Sequence, residues 1–366
     1  MIKVCHMTSA HRPEDVRIFH KECVSLAKAG YDVYLVERGE SYEKNGVHIV
    51  GVGEIPSSRI KRMTEGARMV YEKALSLDCD VYHFHDPELL PYGLKLKRQG
   101  KKVVFDCHEN TADAILEKQY LPRGMRSLVH TLYVRYQNYV CRRLDAIVTV
   151  TPSLTRAFQK VHPSVWEVRN YPILEERGTE QNCREKTIVF AGGISEQWNH
   201  HILLKAMERV PEYRYCLCGS AGEAYLQKLR EMPAWDRVDY LGKIPHEEVA
   251  ELMSKAYLGV ALLSPGRNTD GHNGTMGNTK IFEEMMAGLP VICTDFVLWK
   301  EFVERYDCGV CLNPSNIDEI VNALQYLLDN PDRAEEMGRN GVIAVKQEFN
   351  WKEAAMVLLE LYSFLK

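Results

Sequence analysis

The chain has 366 residues, of which 45% are hydrophobic and 26% are charged, and its formal net charge at pH 7 is −4. This composition is typical of a globular protein long enough for two domains. The small negative charge excludes bulk electrostatic attraction to nucleic acid. No apolar run reaches the roughly 18 residues of a membrane span, and the N-terminus enters a strand pattern without a secretory leader. We therefore expect a cytoplasmic protein.

Eleven cysteines are spread through apolar strand patterns, which predicts reduced, buried thiols. Cys308 and Cys311 have the spacing of metal ligands. No second pair lies near them, so a zinc site is not expected. The sequence predicts neither a bound metal nor another cofactor.

The first half of the chain alternates apolar strands with amphipathic helices, an order that indicates a parallel sheet. The predicted strands are Ile2–Met7, Asp32–Val36, His48–Val52, Val81–His85, Val103–Cys107, Ala146–Val150 and Val165–Val168. The predicted helices are Val16–Ala29, Ile60–Leu77, Glu88–Gln99, Met125–Leu144 and Leu154–Val161.

A break at Asn170-Tyr171-Pro172 and a polar linker, Glu175–Lys186, separate this half from a second alternation. Its predicted strands are Thr187–Ala191, Tyr213–Cys218, Val238–Leu241, Leu258–Leu263, Pro290–Thr294 and Gly309–Leu312, and Trp351–Leu365 is the last helix. The fold class is α/β, with two Rossmann-like, doubly wound domains over residues 1–172 and 173–350. Such domains bind ligands in a cleft at the carboxyl ends of their strands.

The loop after the first strand contains no glycine before Gly30. A dinucleotide-binding loop needs Gly-x-Gly-x-x-Gly here, so the sequence argues against a nicotinamide or flavin enzyme. The loop instead reads His11-Arg12-Pro13-Glu14-Asp15-Val16-Arg17. Arg17 either faces a ligand in the cleft or contacts Asp15, and the sequence leaves both open.

Two histidine motifs follow neighbouring predicted strands. Asp106-Cys107-His108-Glu109 ends one strand, where ligand-facing residues occur in parallel sheets, and a neutral His108 can hydrogen-bond a ligand hydroxyl or a departing oxygen. His83-Phe84-His85-Asp86 ends another, with both histidines on one face of a regular strand. The alternatives are a capping aspartate and internally satisfied histidines. His83 and His85 with a carboxylate could also bind a metal, but no further ligand cluster in the sequence supports that.

Gly277–Asp295 reads as a short helix, a tight turn at Gly288 and a buried strand. Asn278 or Thr279 suits the N-cap, and the helix N-terminus favours phosphate. Lys280 and Glu283 share a helix face, and a carboxylate at Glu283 is suited to hold the vicinal hydroxyls of a ribose. The alternative is an ordinary helix with a surface salt bridge.

The run Lys-Ile-Phe-Glu-Glu-Met-Met-Ala-Gly-Leu-Pro-Val-Ile, from Lys280 to Ile292, resembles the nucleotide-sugar signature of retaining family 4 glycosyltransferases. Three other stretches are similar to further motifs of that family: Asp-x-His-Glu, His-x-His-Asp-Pro-Glu-Leu and Asp-x-Arg-Ile-Phe. The last of them resembles a bacterial surface-polysaccharide subgroup. The resemblance implies the GT-B fold, two domains facing a cleft, with helix 351–366 crossing back to the first domain. It also implies transfer of a sugar from a nucleotide donor to a hydroxyl acceptor with retained configuration.

This resemblance assigns roles to residues. His108 lines the reaction centre, and Lys280 and Arg17 are the other catalytic candidates because they can face the leaving diphosphate. The acceptor side comprises His11, His85, Asp86 and Glu109. The donor-binding residues are Gly192, Gly193, Thr275, Asn278, Thr279, Lys280 and Glu283.

Two departures from the family pattern accompany these assignments. Thr275 stands where a second glutamate normally contacts the donor sugar. Gly193 and Trp198 stand where an arginine and a lysine normally neutralise the diphosphate. Lys280, Arg267, the helix N-terminus or Arg17 must then supply positive charge. A sugar-nucleotide 2-epimerase of the same fold, or a catalytically weak nucleotide-sugar-binding protein, therefore remains an alternative.

From Lys118 to Leu144 the chain has six Lys or Arg residues, no acidic residue and interleaved apolar ones. A basic amphipathic helix of this kind either lies on an anionic membrane or packs its apolar face on its own core. The expected partners are a nucleotide-sugar donor, a sugar or polyprenyl-linked sugar acceptor and the inner membrane face.

Overall fold

The computed structural model describes residues 1–117, 122–174 and 185–366. These residues form two compact units, one of Met1–Asn170 with Trp351–Lys366 and one of Tyr171–Asn350. The predicted linker Glu175–Lys186 lies almost wholly outside the described residues. Each unit is built around its own sheet.

The first unit contains an eight-stranded sheet in the order β3-β4-β2-β1-β5-β6-β7-β8. The strands are β1 Lys3–Met7, β2 Asp32–Glu37, β3 Tyr42–Lys44, β4 Val47–Gly51, β5 Val81–Phe84, β6 Lys102–Cys107, β7 Ala146–Thr149 and β8 Val165–Glu167. All neighbours pair in parallel except β3 and β4. The predicted parallel α/β sheet is confirmed, with an added antiparallel edge strand.

Helices connect these strands, and the C-terminal helix packs against them. They are Val24–Lys28, Arg59–Lys61, Ala67–Ser76, Leu90–Arg98, Thr111–Glu117, Arg123–Cys141, Pro152–Gln159 and Trp351–Phe364, with π-helical turns at Val16–Cys23 and Arg62–Gly66 and a 3₁₀ turn at Pro87–Leu89. The segment after β1 starts where the Asp15 carboxylate accepts hydrogen bonds from the Arg17 and Ile18 amides, which satisfies two of the free N–H groups at a helix start.

Apolar side chains cover both faces of the first sheet, as expected for parallel strands. Cys5 and Phe84 belong to one core, and Val4 and Leu35 belong to the other. The C-terminal helix Trp351–Phe364 adds Leu358 and Tyr362 to the second core. The Trp351 indole donates a hydrogen bond to the Ser25 hydroxyl at 2.8 Å, so this helix is part of the first unit.

The second unit contains a six-stranded, all-parallel sheet in the order β11-β10-β9-β12-β13-β14. Its strands are β9 Thr187–Ala191, β10 Arg214–Cys218, β11 Val238–Gly242, β12 Leu258–Ala261, β13 Val291–Thr294 and β14 Gly309–Leu312. Its α-helices are His200–Met207, Glu223–Arg230, His246–Lys255, Lys280–Met286, Val297–Tyr306, Ile317–Asp329 and Pro331–Gln347, with 3₁₀ turns at Glu196–Trp198, Pro233–Arg237 and Arg267–Thr269. Two Rossmann-like sheets are thus present.

The ten described cysteines are free thiols, and all but Cys311 are buried. Cys311 lies 3.6 Å, sulfur to sulfur, from Cys293 on the neighbouring strand, and Cys308 is buried in the same core as Cys293. Over the residues that the structure describes, no helix is both long and apolar enough to cross a bilayer.

Candidate active site

The carboxyl ends of β1, β5 and β6 lie side by side in the first sheet. His6 on β1 is in register with His83 on β5, and Asp106 lies near the end of β6. Because parallel strands end at the same edge, the loops after them bring His11, Asp86 and His108 together.

Asp86 organises the loop after β1. Its Oδ2 accepts hydrogen bonds from the Thr8 hydroxyl at 2.9 Å, the Ser9 amide at 2.6 Å and the Ala10 amide at 3.1 Å. Its Oδ1 lies 3.1 Å from Nδ1 of His11. The Asp86 carboxylate is 2% exposed, so this predicted acceptor-side residue acts by fixing the loop that presents His11.

The same contact sets the charges of both groups. Burial opposes the charge of Asp86, but the His11 imidazole and the loop donors outweigh it and lower the Asp86 pKa. Burial likewise opposes a charged His11, but its hydrogen bond to Asp86 outweighs that and raises the His11 pKa. His11 keeps a partly exposed ring, 5.1 Å between centroids from that of His108.

The predicted histidines His85 and His108 are in contact. His85 Nδ1 lies 3.1 Å from His108 Nε2, and the same His108 nitrogen lies 3.0 Å from Oδ2 of Asp106. His108 keeps 16% of its side chain exposed, and Glu109, next in the chain, is exposed. Of these two rings, His108 is therefore the one that a ligand can reach.

Three further groups extend the cluster inward. His85 Nε2 lies 3.0 Å from His6 Nδ1, and His6 Nε2 lies 3.1 Å from the Tyr362 hydroxyl. That hydroxyl lies 2.9 Å from His83 Nδ1. Burial lowers the pKa of His6, His83 and His85, so their rings are neutral and pass hydrogen bonds through the core.

The structure places Arg17 inside this network, which corrects its assignment as a catalytic candidate facing the diphosphate. The guanidinium is 4% exposed. It donates to Asp106 through Nε and Nη2 at 3.0–3.2 Å and to the Val168 carbonyl through Nη1 at 3.0 Å. The alternative contact with Asp15 involves only the Arg17 backbone amide. Arg17 thus neutralises Asp106.

Glu22 completes the buried set. Its Oε1 lies 3.1 Å from Arg17 Nε, and burial, with the Asp106 charge beside it, raises its pKa. Glu22, His83, His85 and Asp106 are close enough for a metal ion. Arg17 already holds a positive charge against both carboxyl groups, so the donor set fits a protonated network better than a divalent cation.

In the second unit, Lys280 lies across the glycine turn after β9. A side chain at Gly192 would come within 1.9 Å of Lys280 Cε, and Gly192 has φ of 153°. Lys280 Nζ lies 4.8 Å from the Trp198 ring centroid, close enough for a cation–π contact. Burial lowers the Lys280 pKa. Gly193 has open space at its Cβ position.

The helix Lys280–Met286 starts at Thr279, whose side chain makes no capping bond. The Asn278 side-chain oxygen instead accepts a hydrogen bond from the Lys280 amide at 3.1 Å, so this amide, predicted to bind phosphate, is already in use. The Thr275 hydroxyl accepts a hydrogen bond from the Gly277 amide at 3.1 Å, and Trp299 holds the Thr275 carbonyl.

Glu283 and Glu284 follow one another but have opposite environments. Glu283 is half-buried, and among the described residues its carboxylate forms no ion pair or hydrogen bond. Glu284 is fully buried, neither carboxyl oxygen has a hydrogen-bond partner among the described residues, and it fills the space that a side chain at Gly259 would take. Burial raises the Glu284 pKa. Only Glu283 is available to a ligand.

Two family models match the chain. The model of glycosyl transferases group 1 matches residues 175–342, and that of glycosyltransferase family 4 matches residues 17–168. Together they cover more than four fifths of the chain. The chain belongs to the family 4 glycosyltransferases. It is an enzyme of sugar transfer.

Individual relatives of this glycosyltransferase are distant. The D-rhamnosyltransferase WbpZ of Pseudomonas aeruginosa is 23% identical over 90% of this chain and 91% of its own. The structure of sucrose-phosphate synthase from Thermosynechococcus elongatus superposes with a TM-score of 0.75 at 17% identity, over 100% and 99% of the two chains. The structure of Anabaena Alr3699/HepE in complex with UDP and glucose superposes with a TM-score of 0.71 at 14% identity, over 99% of this chain and 100% of its own. These structures share the GT-B fold.

The helix Arg123–Cys141 of the glycosyltransferase is apolar on two sides. Val129, Tyr133 and Val140 turn toward the unit, whereas the opposite side carries exposed apolar residues, which we call the apolar stripe. The apolar stripe consists of Met125, Leu128, Leu132, Tyr136 and Tyr139, which are 40–61% exposed. Packing on the core therefore accounts for only part of the apolar content.

Proposed function

We propose that this enzyme transfers a sugar, with retention of configuration, from a nucleoside-diphosphate sugar to a hydroxyl acceptor. The donor binds residues 173–350 through Gly192, Gly193, Thr275, Lys280 and Glu283. The acceptor approaches residues 1–172 past His11 and Glu109, and His108 acts at the reacting groups. We further propose that the acceptor is a sugar or polyprenyl-linked sugar of surface polysaccharide or glycolipid assembly.

The observation that carries this proposal is that Lys280 and Glu283 lie on one short helix with both side chains uncommitted in the described part of the chain. Neither side chain forms a salt bridge among the described residues, so each remains available to a ligand. A carboxylate can accept hydrogen bonds from two vicinal ribose hydroxyls, and an ammonium group can form an ion pair with a diphosphate. Because the Lys280 amine is partly desolvated, its attraction to a phosphate charge is stronger than it is in water.

A lysine side chain can meet the charge of the leaving group. The negative charge that develops on the diphosphate as its bond to the sugar breaks requires a cation nearby. Arg17 is committed to Asp106, and Arg267 lies exposed on a short turn. Lys280, held over Gly192 with its ammonium 4.8 Å from the Trp198 ring centroid, is then the residue that we assign to this charge.

The comparisons support the donor class. Anabaena Alr3699/HepE shares the fold and is described in complex with UDP-glucose, and WbpZ is named for rhamnosyl transfer. We assign no nucleophile. A same-face displacement assisted by the leaving diphosphate needs none. Thr275 stands where a carboxylate is usual, and its hydroxyl, which accepts from the Gly277 amide, can still donate to the bound sugar nucleotide.

A thermal-shift screen with UDP-, GDP-, ADP- and dTDP-sugars tests the donor. At one hundred times Kd a ligand adds about 2.7 kcal/mol, which raises the Tm of a two-domain chain by roughly 5–10 °C. The stabilising donor is then incubated with an acceptor panel, and the product anomer is read by NMR. Inverted product, or interconversion of donor without acceptor, would contradict the proposal.

We also propose that the apolar stripe rests on an anionic membrane. Arg135, Arg142 and Arg143 are exposed on the same helix and just after it, and no acidic residue lies between Lys118 and Leu144. Each arginine near an anionic surface contributes about 1 kcal/mol, while the exposed apolar groups gain burial in the interface. This arrangement brings the acceptor side of the first unit toward a lipid-linked acceptor.

Vesicle flotation checks this second proposal. We expect wild-type protein to float with vesicles containing anionic phosphatidylglycerol, to float poorly with neutral ones, and to lose binding as salt rises. The double substitution Leu128→Asp with Leu132→Asp is expected to reduce the bound fraction about tenfold or more. Val297→Asp, at a residue 60% exposed on another helix, is the matched control. Equal binding by the double variant and the control would refute a role for the apolar stripe.

A further inference from the structure

We propose that His6, His83, His85 and Tyr362 form a one-way hydrogen-bond relay that keeps the proton of His108 on Nε2. Nδ1 of His108 is then a bare acceptor at the end of the cluster that a ligand can reach. His6, His85 and Tyr362 are positioning residues in this scheme. The importance of His108 for transfer rests on the proposed function, whereas the relay itself does not.

The direction of the relay begins at Asp106. Arg17 holds this carboxylate in its charged form through Nε and Nη2 of its guanidinium. That charge outweighs the effect of burial, so the Asp106 pKa is lowered. A charged carboxylate only accepts hydrogen bonds. The His108 nitrogen 3.0 Å from it, Nε2, must therefore carry the proton.

His85 Nδ1 lies 3.1 Å from His108 Nε2 and 3.4 Å from the same Asp106 oxygen. The shorter contact, 3.0 Å between His108 Nε2 and Asp106, places the proton on His108. Two N–H groups cannot face each other at 3.1 Å, so His85 Nδ1 is bare. A neutral His85 then carries its proton on Nε2, which donates to His6 Nδ1 at 3.0 Å. His6 in turn carries its proton on Nε2.

The Tyr362 hydroxyl connects His6 on β1 to His83 on β5. His6 Nε2 donates to the Tyr362 oxygen at 3.1 Å, and the Tyr362 hydroxyl donates to His83 Nδ1 at 2.9 Å. The proton of His83 then lies on Nε2, which is 4.0 Å from Asp106 Oδ2, beyond hydrogen-bond distance. All four histidines carry the same tautomer, and the relay runs from Asp106 to His83.

The relay links His108 to a residue far away in the sequence. Tyr362 lies on the C-terminal helix, 279 positions after His83, and is 1% exposed. Other ionisable groups around the relay are Arg17 and Glu22 on the segment after β1, and His11 and Asp86 beside His108. A hydroxyl in the terminal helix therefore helps to keep His85 Nδ1 bare, so that His85 does not compete with His108 for Asp106.

Histidine ¹⁵N–¹H correlation spectra of the full-length protein, without substrate, test the tautomers. We expect His6, His83, His85 and His108 each to show the proton on Nε2. His162 is an internal reference, because its Nε2 lies 3.1 Å from the Leu144 carbonyl and its Nδ1 accepts from the Ser164 amide. A proton on Nδ1 of His108 or His85 would overturn the relay. Metal analysis of the same sample is expected to find no stoichiometric transition metal, and finding one on these histidines would also overturn it.

Tyr362→Phe removes the connecting hydroxyl while keeping the ring. His6 can then move its proton to Nδ1, which lets His85 compete with His108 for Asp106. We expect a second His108 tautomer in the spectrum, with kcat reduced on the order of three- to tenfold, the worth of one hydrogen bond. Tyr31→Phe is the control, because its ring lies 5.5 Å from that of Tyr362 and it is outside the relay.

The donor KM and the pH dependence of kcat separate positioning from a loss of structure. Tyr362→Phe is expected to keep the donor KM and Tm of Tyr31→Phe and to displace the pH profile of kcat. An unchanged His108 spectrum and pH profile would refute the relay. If the spectra fit but His108→Ala transfers sugar at the wild-type rate, the relay stands and the proposed role of His108 fails.

Discussion

Replacing Glu283 with alanine is expected to raise the donor KM about hundredfold. The carboxylate is half-buried and, among the described residues, unpaired, so a bound ribose gives it its first hydrogen-bond partners. Two hydrogen bonds to a charged acceptor contribute about 3 kcal/mol, which corresponds to roughly a hundredfold in affinity. Calorimetric titration of the nucleotide alone measures this loss without requiring an acceptor.

Glu284→Gln is the matched control for this substitution. Glu284 is the next residue, but it is fully buried against Gly259, so its donor KM is expected to stay at the wild-type value. If Glu283→Ala binds nucleotide like wild type, or if Glu284→Gln weakens binding as much, Glu283 does not hold the donor.

The control variant Glu284→Gln is also expected to change how the stability of the protein depends on pH. Because the folded pKa of Glu284 is raised, the unfolded chain loses this proton first as pH increases. Stability from this group is full below the unfolded pKa of about 4.3 and falls by up to about 1.4 kcal/mol per pH unit until the folded pKa is reached. Glutamine does not titrate, so Glu284→Gln is expected to gain Tm over wild type from pH 5 to pH 8.

Most of the fold could be predicted because its strands are buried on both faces and read as short apolar runs. Those of the second unit begin and end within one or two residues of their predicted bounds. The edge strand Tyr42–Lys44 was missed because all three residues are exposed, and exposed, charged edges carry no apolar pattern. The helix Thr111–Glu117 was also missed.

In the first unit, the site could be predicted only where its residues follow a strand. His85, Asp86 and His108 lie at strand ends and come together in one unit. His6 and Glu22 lie within a strand and a helix, and their only signal is an ionisable group at a buried position, Glu22 falling four residues after Ile18. Tyr362 reaches the cluster through tertiary packing, which the spacing of the sequence does not reveal.

Arg17 shows the limit of that reasoning most directly. Its position after β1 is compatible with a ligand in the cleft, but the sequence does not reveal which way a long side chain turns. The guanidinium turns into the unit and meets Asp106, Glu22 and the Val168 carbonyl. Its contribution to function is therefore indirect: it keeps Asp106 charged, and Asp106 in turn orients His108.

Arg17→Met is expected to destabilise the first unit by about 3–5 kcal/mol, because it leaves a buried carboxylate without its cation. The corresponding fall in Tm is about 10 °C. Arg68→Met is the control, since Arg68 forms an exposed pair with Glu72, and such pairs contribute at most about 1 kcal/mol. Thermal unfolding followed by circular dichroism measures both variants.

The pH dependence of this loss distinguishes a structural Arg17 from one that binds substrate. In wild type the Asp106 pKa is lowered, so its contribution is present above the unfolded pKa of about 3.9 and is lost on acidification. Without Arg17 the folded pKa rises, and protonation at low pH relieves the buried charge. The difference in Tm should therefore be larger at pH 8 than at pH 5. An Arg17→Met variant that keeps the wild-type Tm at pH 5 and pH 8 but loses sugar transfer would instead indicate that Arg17 binds substrate. The buried network would then not be what holds Asp106 charged.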